Sequence, residues 1–153
     1  MKVCILGTGS LGSTIGGALA GAGNEVHFVG RAPHMSAVNE NGLVMVTPTG
    51  EEVVHPLGHT TPDGIGPCDL VIVLCKAFDT AHTMEEGKEL VGPNTVVMSL
   101  QNGLGAEDVL CECVGAEHVI GGKTYIGGML LEPGRVQATI PAKIRSSASW
   151  TAA

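Results

Sequence analysis

The sequence predicts an α/β fold with a doubly wound, mainly parallel sheet, as a single domain over residues 1–144. Three observations predict it. Short aliphatic and β-branched runs alternate with helix-like stretches, the order that builds a parallel sheet with helices on both faces. Residues 69–75 are one acid followed only by apolar side chains, as in a strand buried on both sides. The first strand also runs directly into Gly7, Gly9 and Gly12, a spacing that opens a helix.

In chain order, residues 3–6 form a strand and residues 12–22 a closely packing helix stopped by Gly23-Asn24. Residues 25–29 are the second strand, and 34–41 a short helix closed by Gly42. Runs 43–46 and 52–55 flank Thr47-Pro48-Thr49-Gly50 and predict a hairpin. The strand at 69–75 leads to an amphipathic helix over 79–90, ended by Gly92-Pro93. Residues 95–100 are a strand, 106–114 a helix and 118–120 the start of another strand. Over 129–140 a second hairpin turns at Glu132-Pro133-Gly134.

Composition excludes several classes. Eight Lys+Arg against 15 Asp+Glu leave a formal charge of −7, with no basic stripe for a nucleic-acid partner. No run approaches the roughly 18 apolar residues of a membrane helix, and residues 1–6 are too short for a signal peptide. The expected compartment is the cytoplasm. Cys4, Cys68, Cys75, Cys111 and Cys113 read as reduced thiols. Cys111-Glu112-Cys113 lacks a second ligand pair at zinc spacing, so no metal is expected. The 23 glycines are not periodic and gather at the ends of apolar runs, where turns need them.

The candidate site begins at Gly7-Thr8-Gly9-Ser10-Leu11-Gly12, a Rossmann-like dinucleotide turn. The first Gly makes the turn, the second admits the pyrophosphate and the third lets helix and strand pack. The phosphates then meet free N–H groups at the helix start. A site for NAD places an acid after the second strand, whereas this strand ends Val29-Gly30-Arg31. Arg31 has the charge and fork geometry for a 2′-phosphate, so the expected cofactor is NADP(H). His34 is weighed as an assistant there and read as a surface residue. Lys76 and Asn102 each follow the carboxyl end of an apolar strand, the edge where open α/β sheets bind ligands.

Lys76-Ala77-Phe78-Asp79, Ser99-Leu100-Gln101-Asn102-Gly103-Leu104-Gly105 and Gly122-Lys123-Thr124-Tyr125-Ile126-Gly127 follow the Gly-rich turn in that order. This motif set resembles the nucleotide-binding half of the ketopantoate reductase (2-dehydropantoate 2-reductase) family over residues 1–144. The resemblance implies NADPH-dependent reduction of 2-dehydropantoate to pantoate, a step towards pantothenate and coenzyme A. It implies that Gly7 to Gly12 hold the pyrophosphate and Arg31 the 2′-phosphate. Lys76 is then placed near cofactor and keto acid, Asn102 near the nicotinamide and the substrate, and Gly127 approaches the cofactor through its main chain. Family members continue into an all-helical domain carrying the general-acid lysine. Lys123 and Lys143 do not match that lysine, so no catalytic residue is assigned in this chain. Two alternatives stay open: a non-catalytic NADP-binding fragment or module, and a reductase of another 2-keto acid. The partner is expected to be a small 2-keto acid, and an exposed interdomain face favours a homo-oligomer.

Residues 145–153 lose strand alternation and helical periodicity. One G/C-rich codon choice for Ser146 to Ala152, read two bases later, encodes Val-Gly-Glu-Leu-Asp-Gly, similar to the family's usual continuation. A frameshift near Arg145 is the expected cause, with a deliberately cut chain as the alternative.

Overall fold

The computed structural model describes residues 1–140; the expectations for 141–144 and for the tail lie outside the described residues. Strands β1 (Lys2–Leu6), β2 (Glu25–Val29), β5 (Leu57–His59), β6 (Cys68–Val73), β7 (Val91–Ser99) and β8 (Val119–Gly121) form a six-stranded sheet. Its order is β5-β2-β1-β6-β7-β8, and every pairing is parallel. Helices α1 (Ser10–Gly21), α2 (Ala32–Asn41), α3 (Thr80–Glu86) and α4 (Ala106–Val114) connect these strands.

Because side chains alternate along a strand, β1 serves two cores. Val3 and Ile5 join Val26, Phe28 and Ile72 on the face covered by α1 and α2. Cys4 and Leu6 join Val71, Val73, Met84, Val97 and Leu110 on the face covered by α3 and α4. The sheet is therefore doubly wound, as expected. Burying side chains such as Phe28, Ile5 or Leu6 completely contributes about 1.5–3 kcal/mol each.

The two hairpins do more than decorate this sheet. Strands β3 (Leu43–Thr47) and β4 (Gly50–Val54) pair antiparallel, as do β9 (Gly128–Glu132) and β10 (Arg135–Ala138). Parallel pairing of β10 with β3 fuses them into a second, four-stranded sheet, ordered β4-β3-β10-β9. Its inner face packs on α1, which lies between the two sheets. Small residues make that possible. A Cβ on Gly16 would stand 2.2 Å from Phe28 Cε1 of the large sheet, and one on Gly17 would stand 2.5 Å from Met45 Sδ of the second.

Four local expectations need correction. The helix expected over 79–90 breaks at Gly87 into α3 and a 3-10 turn, Lys88–Leu90, and another 3-10 turn, Ala77–Asp79, precedes it. A Cβ on Gly87 would lie 3.2 Å from Leu6 Cδ1, so the helix closes down on β1 at that point. Gly92-Pro93 does not end the helix but lies in β7, which begins at Val91. Proline has no N–H for the ladder, and the β6–β7 register is irregular there. Thr95 compensates: its Oγ1 donates to Cys68 O at 2.6 Å and accepts Gly92 N–H at 2.8 Å. Strand β5, unexpected from the sequence, is held to α2 by the Asn39 carboxamide, which bonds both Gly58 O (2.9 Å) and Gly58 N (2.8 Å). Finally, Gly127, which the family resemblance implies in a strand after Thr124-Tyr125, stands just before β9.

Candidate functional site

The Gly-rich turn is clamped between neighbouring strand ends. Gly7 N–H donates to Val29 O at 3.2 Å, and Leu74 N–H donates to Leu6 O at 2.8 Å. Gly7 has φ +99°, and a Cβ there would sit 2.5 Å from Cys75 N. A Cβ on Gly12 would lie 2.1 Å from Gly7 O. Gly9 differs: nothing lies within 4 Å of its Cβ position. The outer two glycines are thus required by the protein itself, while the middle one opens onto solvent. Gly9 caps α1 without a side-chain hydrogen bond, the first turn carries no acid, and the first intrahelical bond runs from Ser13 N to Gly9 O. The N–H groups of Ser10, Leu11 and Gly12 have no helical acceptor, and the positive end of the helix dipole lies beside them.

Thr8 is buried against the end of β2. Its Oγ1 donates to Val29 O at 3.4 Å, and a Cβ on Gly30 would meet that oxygen at 2.0 Å. Arg31 follows at once, capping α2, exposed and without an acidic partner among the described residues. The Ser10 hydroxyl faces the second sheet, accepting Leu130 N–H at 2.9 Å, so this residue's main chain is what the turn leaves free.

Lys76 and Asn102 stand exposed beyond the neighbouring strands β6 and β7, whose ends are in register because Val73 pairs with Ser99. The Gln101 carboxamide ties their loops together. Its Nε2 donates to Cys75 O (2.9 Å) and Thr80 Oγ1 (2.8 Å), and its Oε1 accepts from Ser99 Oγ (3.2 Å). Phe78, Leu104 and Tyr125, all more than four-fifths exposed, follow β6, β7 and β8 on the same edge. Lys123 Nζ lies 5.3 Å from the Tyr125 ring centre. Gly127 is bonded three times to Thr139: N–H to Oγ1 (3.0 Å), and its carbonyl from Oγ1 (2.9 Å) and N–H (3.1 Å). Its neighbour Gly128 is the crowded one, with Thr14 Oγ1 2.1 Å from a Cβ there.

An open depression of about 480 Å³ lies on the second sheet, lined by residues including Val46, Pro48, Met129 and Gln137; it reaches Gly128 and Thr139 beside Gly127 but not the Gly-rich turn, Arg31, Lys76 or Asn102. Among the described residues no group of three His, Cys, Asp or Glu converges on a metal position, and no helix is long and apolar enough to cross a membrane.

The sequence matches the family described as ketopantoate reductase PanE/ApbA over residues 3–148. The chain belongs to the ketopantoate reductase family. It is 41% identical over 140 residues to a 2-dehydropantoate 2-reductase of Halobacterium salinarum, covering 90% of this chain and 46% of that protein. The crystal structure of the Geobacter metallireducens 2-dehydropantoate 2-reductase superposes with a TM-score of 0.84 at 35% identity, covering 92% of this chain and 47% of that one. A D-mandelate dehydrogenase solved with NADH and anilino(oxo)acetate superposes equally well, TM-score 0.84 at 30% identity, over 90% of this chain and 45% of its own. The chain spans just under half the length of the curated relatives it matches.

Two residues escaped the sequence reading of this ketopantoate reductase family member. Gln101 stood in a quoted motif without a role. His34, read as a surface residue, is only 5% exposed. Gly134 N–H donates to its Nδ1 at 2.9 Å, which leaves the proton of a neutral ring on Nε2. Nε2 donates to Ser13 Oγ at 2.9 Å, and Ser13 Oγ donates to Thr8 O at 3.1 Å. Burial holds the His34 pKa below the ordinary imidazole value. No spacing signals this, because α2 is short and weakly periodic; the Pro33 helix start was the one local cue.

Proposed function

We propose that this chain is the NADP(H)-binding half of a reductase that converts 2-dehydropantoate to pantoate, acting in the cytoplasm. The observation that carries it is the pairing of an open Gly9 turn with an exposed, uncompensated Arg31 in a ketopantoate reductase family member. The residues fit the cofactor. Gly9 leaves room for phosphate oxygens, the free N–H groups of α1 supply donors, and Arg31 supplies a cation where a 2′-phosphate needs one.

When bound, reduced NADP supplies a hydride equivalent to a keto carbon. The chain's own contribution is positioning. Lys76 brings a positive charge to the carboxylate of a 2-keto acid, and Asn102 offers a donor and an acceptor to the nicotinamide side. Gly127 contributes its main-chain surface, since its N–H is taken by Thr139. Phe78, Leu104 and Tyr125 then form one wall of a cleft whose other wall belongs to the further length of the relatives. We assign no general acid among the described residues.

Titrating the chain with NADPH and NADH, by nucleotide fluorescence, tests the reading. NADPH should bind more tightly, and Arg31→Ala should weaken NADPH roughly 10- to 100-fold while leaving NADH unchanged. No NADPH binding, or equal loss of both nucleotides, would overturn it. NADPH oxidation dependent on 2-dehydropantoate then separates an enzyme from a binding module. A second reading, reduction of a different 2-keto acid with NADH, draws on the likeness to the D-mandelate dehydrogenase. Tighter NADH binding would favour it.

A further inference from the structure

We propose that His34 is a positioning residue of the dinucleotide site: neutral, with its proton on Nε2, it ties the Gly-rich turn and the start of α2 to the Pro133-Gly134 turn of the second sheet. The inference rests on the NADP(H) reading above.

The geometry is a continuous strut. Gly134 N–H to His34 Nδ1, His34 Nε2–H to Ser13 Oγ, and Ser13 Oγ–H to Thr8 O run through buried atoms at 2.9, 2.9 and 3.1 Å. Thr8 lies within the phosphate turn. The His34 main chain also donates to Arg31 O at 3.1 Å, so the same residue sits in the turn of helix that Arg31 caps. Gly134 itself has φ +77°, and a Cβ there would lie 2.9 Å from Ala37 Cβ, so this turn is seated directly on α2. One imidazole therefore joins the two segments assigned to pyrophosphate and 2′-phosphate to a third element, the turn between β9 and β10.

Donor and acceptor roles fix its protonation. A second proton on Nδ1 would point at Gly134 N–H, turning an attraction into a clash of donors. Among the described residues no charged group stands ready to stabilise that cation. Helix α1 carries no ionisable side chain. In α2 the charged residues are Arg31, at the cap, and the exposed Glu40. Glu132 and Arg135 flank the Pro133-Gly134 turn, and Arg135 is paired with Glu51. Burial alone lowers the His34 pKa. Acidification should therefore cut the strut and loosen the phosphate turn.

The test uses the full chain and NADPH and NADH as probes, with dissociation constants measured from pH 5.5 to 8 for the parent, His34→Gln and Ser13→Ala. The 2′-phosphate itself titrates near pH 6, and NADH, lacking it, isolates the protein's part. His34→Gln should bind both nucleotides roughly tenfold more weakly at pH 7.5 and lose the parent's acid dependence for NADH. Ser13→Ala should weaken binding in the same sense. Imidazole nitrogen NMR of the parent should show His34 neutral with Nε2 protonated. A His34 ring protonated on Nδ1, unchanged constants and pH profile in both variants, or a loss confined to NADPH would overturn the strut. If His34→Gln does not fold, Ser13→Ala and the NMR decide. Absence of NADPH binding by the parent at every pH would instead overturn the dinucleotide reading, with the tautomer measured independently of it.

Discussion

The turn after β1 and the loops after β6 and β7 share one edge of the sheet but are built in opposite ways. The turn is held from three sides: by Val29 of β2, by Cys75 beyond β6, and by the second sheet through Ser10 and the His34 strut. Lys76 and Asn102 project into solvent, and the chief fastening between their loops is the Gln101 carboxamide. A phosphate cradle built of backbone N–H groups works only if the backbone is fixed before the ligand arrives. Loops that meet a substrate on one side can remain open on the other. The difference teaches that glycine in the turn serves two ends, packing at the outer positions and access at the middle one.

Substitution in the turn separates those ends, with the largest effect expected. Gly12→Ala places a methyl 2.1 Å from Gly7 O, which backbone cannot yield without unseating α1. It should destabilise the chain by about 3 kcal/mol or more in urea unfolding. Gly9→Ala meets nothing and should leave the unfolding midpoint nearly unchanged while severely weakening NADPH binding. Equal effects of both on stability would erase the distinction between packing and access.

The same comparison predicts an intermediate effect on the other side of the edge. Gln101→Leu leaves Cys75 O and Thr80 Oγ1 without their donor and should cost about 1–3 kcal/mol. Asn102→Ala, at the exposed residue next in the chain, should shift stability by less than about 0.5 kcal/mol. A Gln101 variant as stable as the parent would mean the loops are fastened elsewhere.

These asymmetries follow what the sequence could reveal. The β1 turn, α1 and the buried strand β6 were legible because each is a local pattern: glycine spacing, a cap, an apolar run. Both hairpins were legible from Thr47-Pro48-Thr49-Gly50 and Glu132-Pro133-Gly134. Their union was not, since Val136 meets Met45 across most of the chain and no local period records that pairing. For the same reason His34 was misplaced: the groups that bury it, Ser13 and Gly134, come from distant segments. Strand β5 is three residues with a glycine at its centre, below any periodic signal. Gly87 was overlooked because the residue that requires it, Leu6, is on β1. The placement of Lys76 and Asn102 beyond strand ends was readable; the carboxamide that fastens them was not.

The smallest effect expected is on pH, and it again distinguishes the anchored turn from the open edge. His34 and His59 both have pKa values held below the ordinary imidazole value, His34 by burial and His59 by burial and then by the neighbouring His27, whose Nδ1 lies 3.0 Å from His59 Nε2. A lowered histidine pKa means the unfolded chain binds more protons than the folded one between the two values. The stability these rings contribute is therefore complete above the ordinary value of 6.5 and declines as pH falls below it. Urea midpoints should drop between pH 7.5 and 5.5, and His34→Gln should reduce that drop by removing one of the two titrations. Lys76→Ala should leave the slope unchanged, because Lys76 is exposed beyond β6 and forms no ion pair among the described residues. If the slope survives intact in His34→Gln, acid sensitivity belongs to His59 at the β2–β5 edge, and the turn is anchored independently of pH.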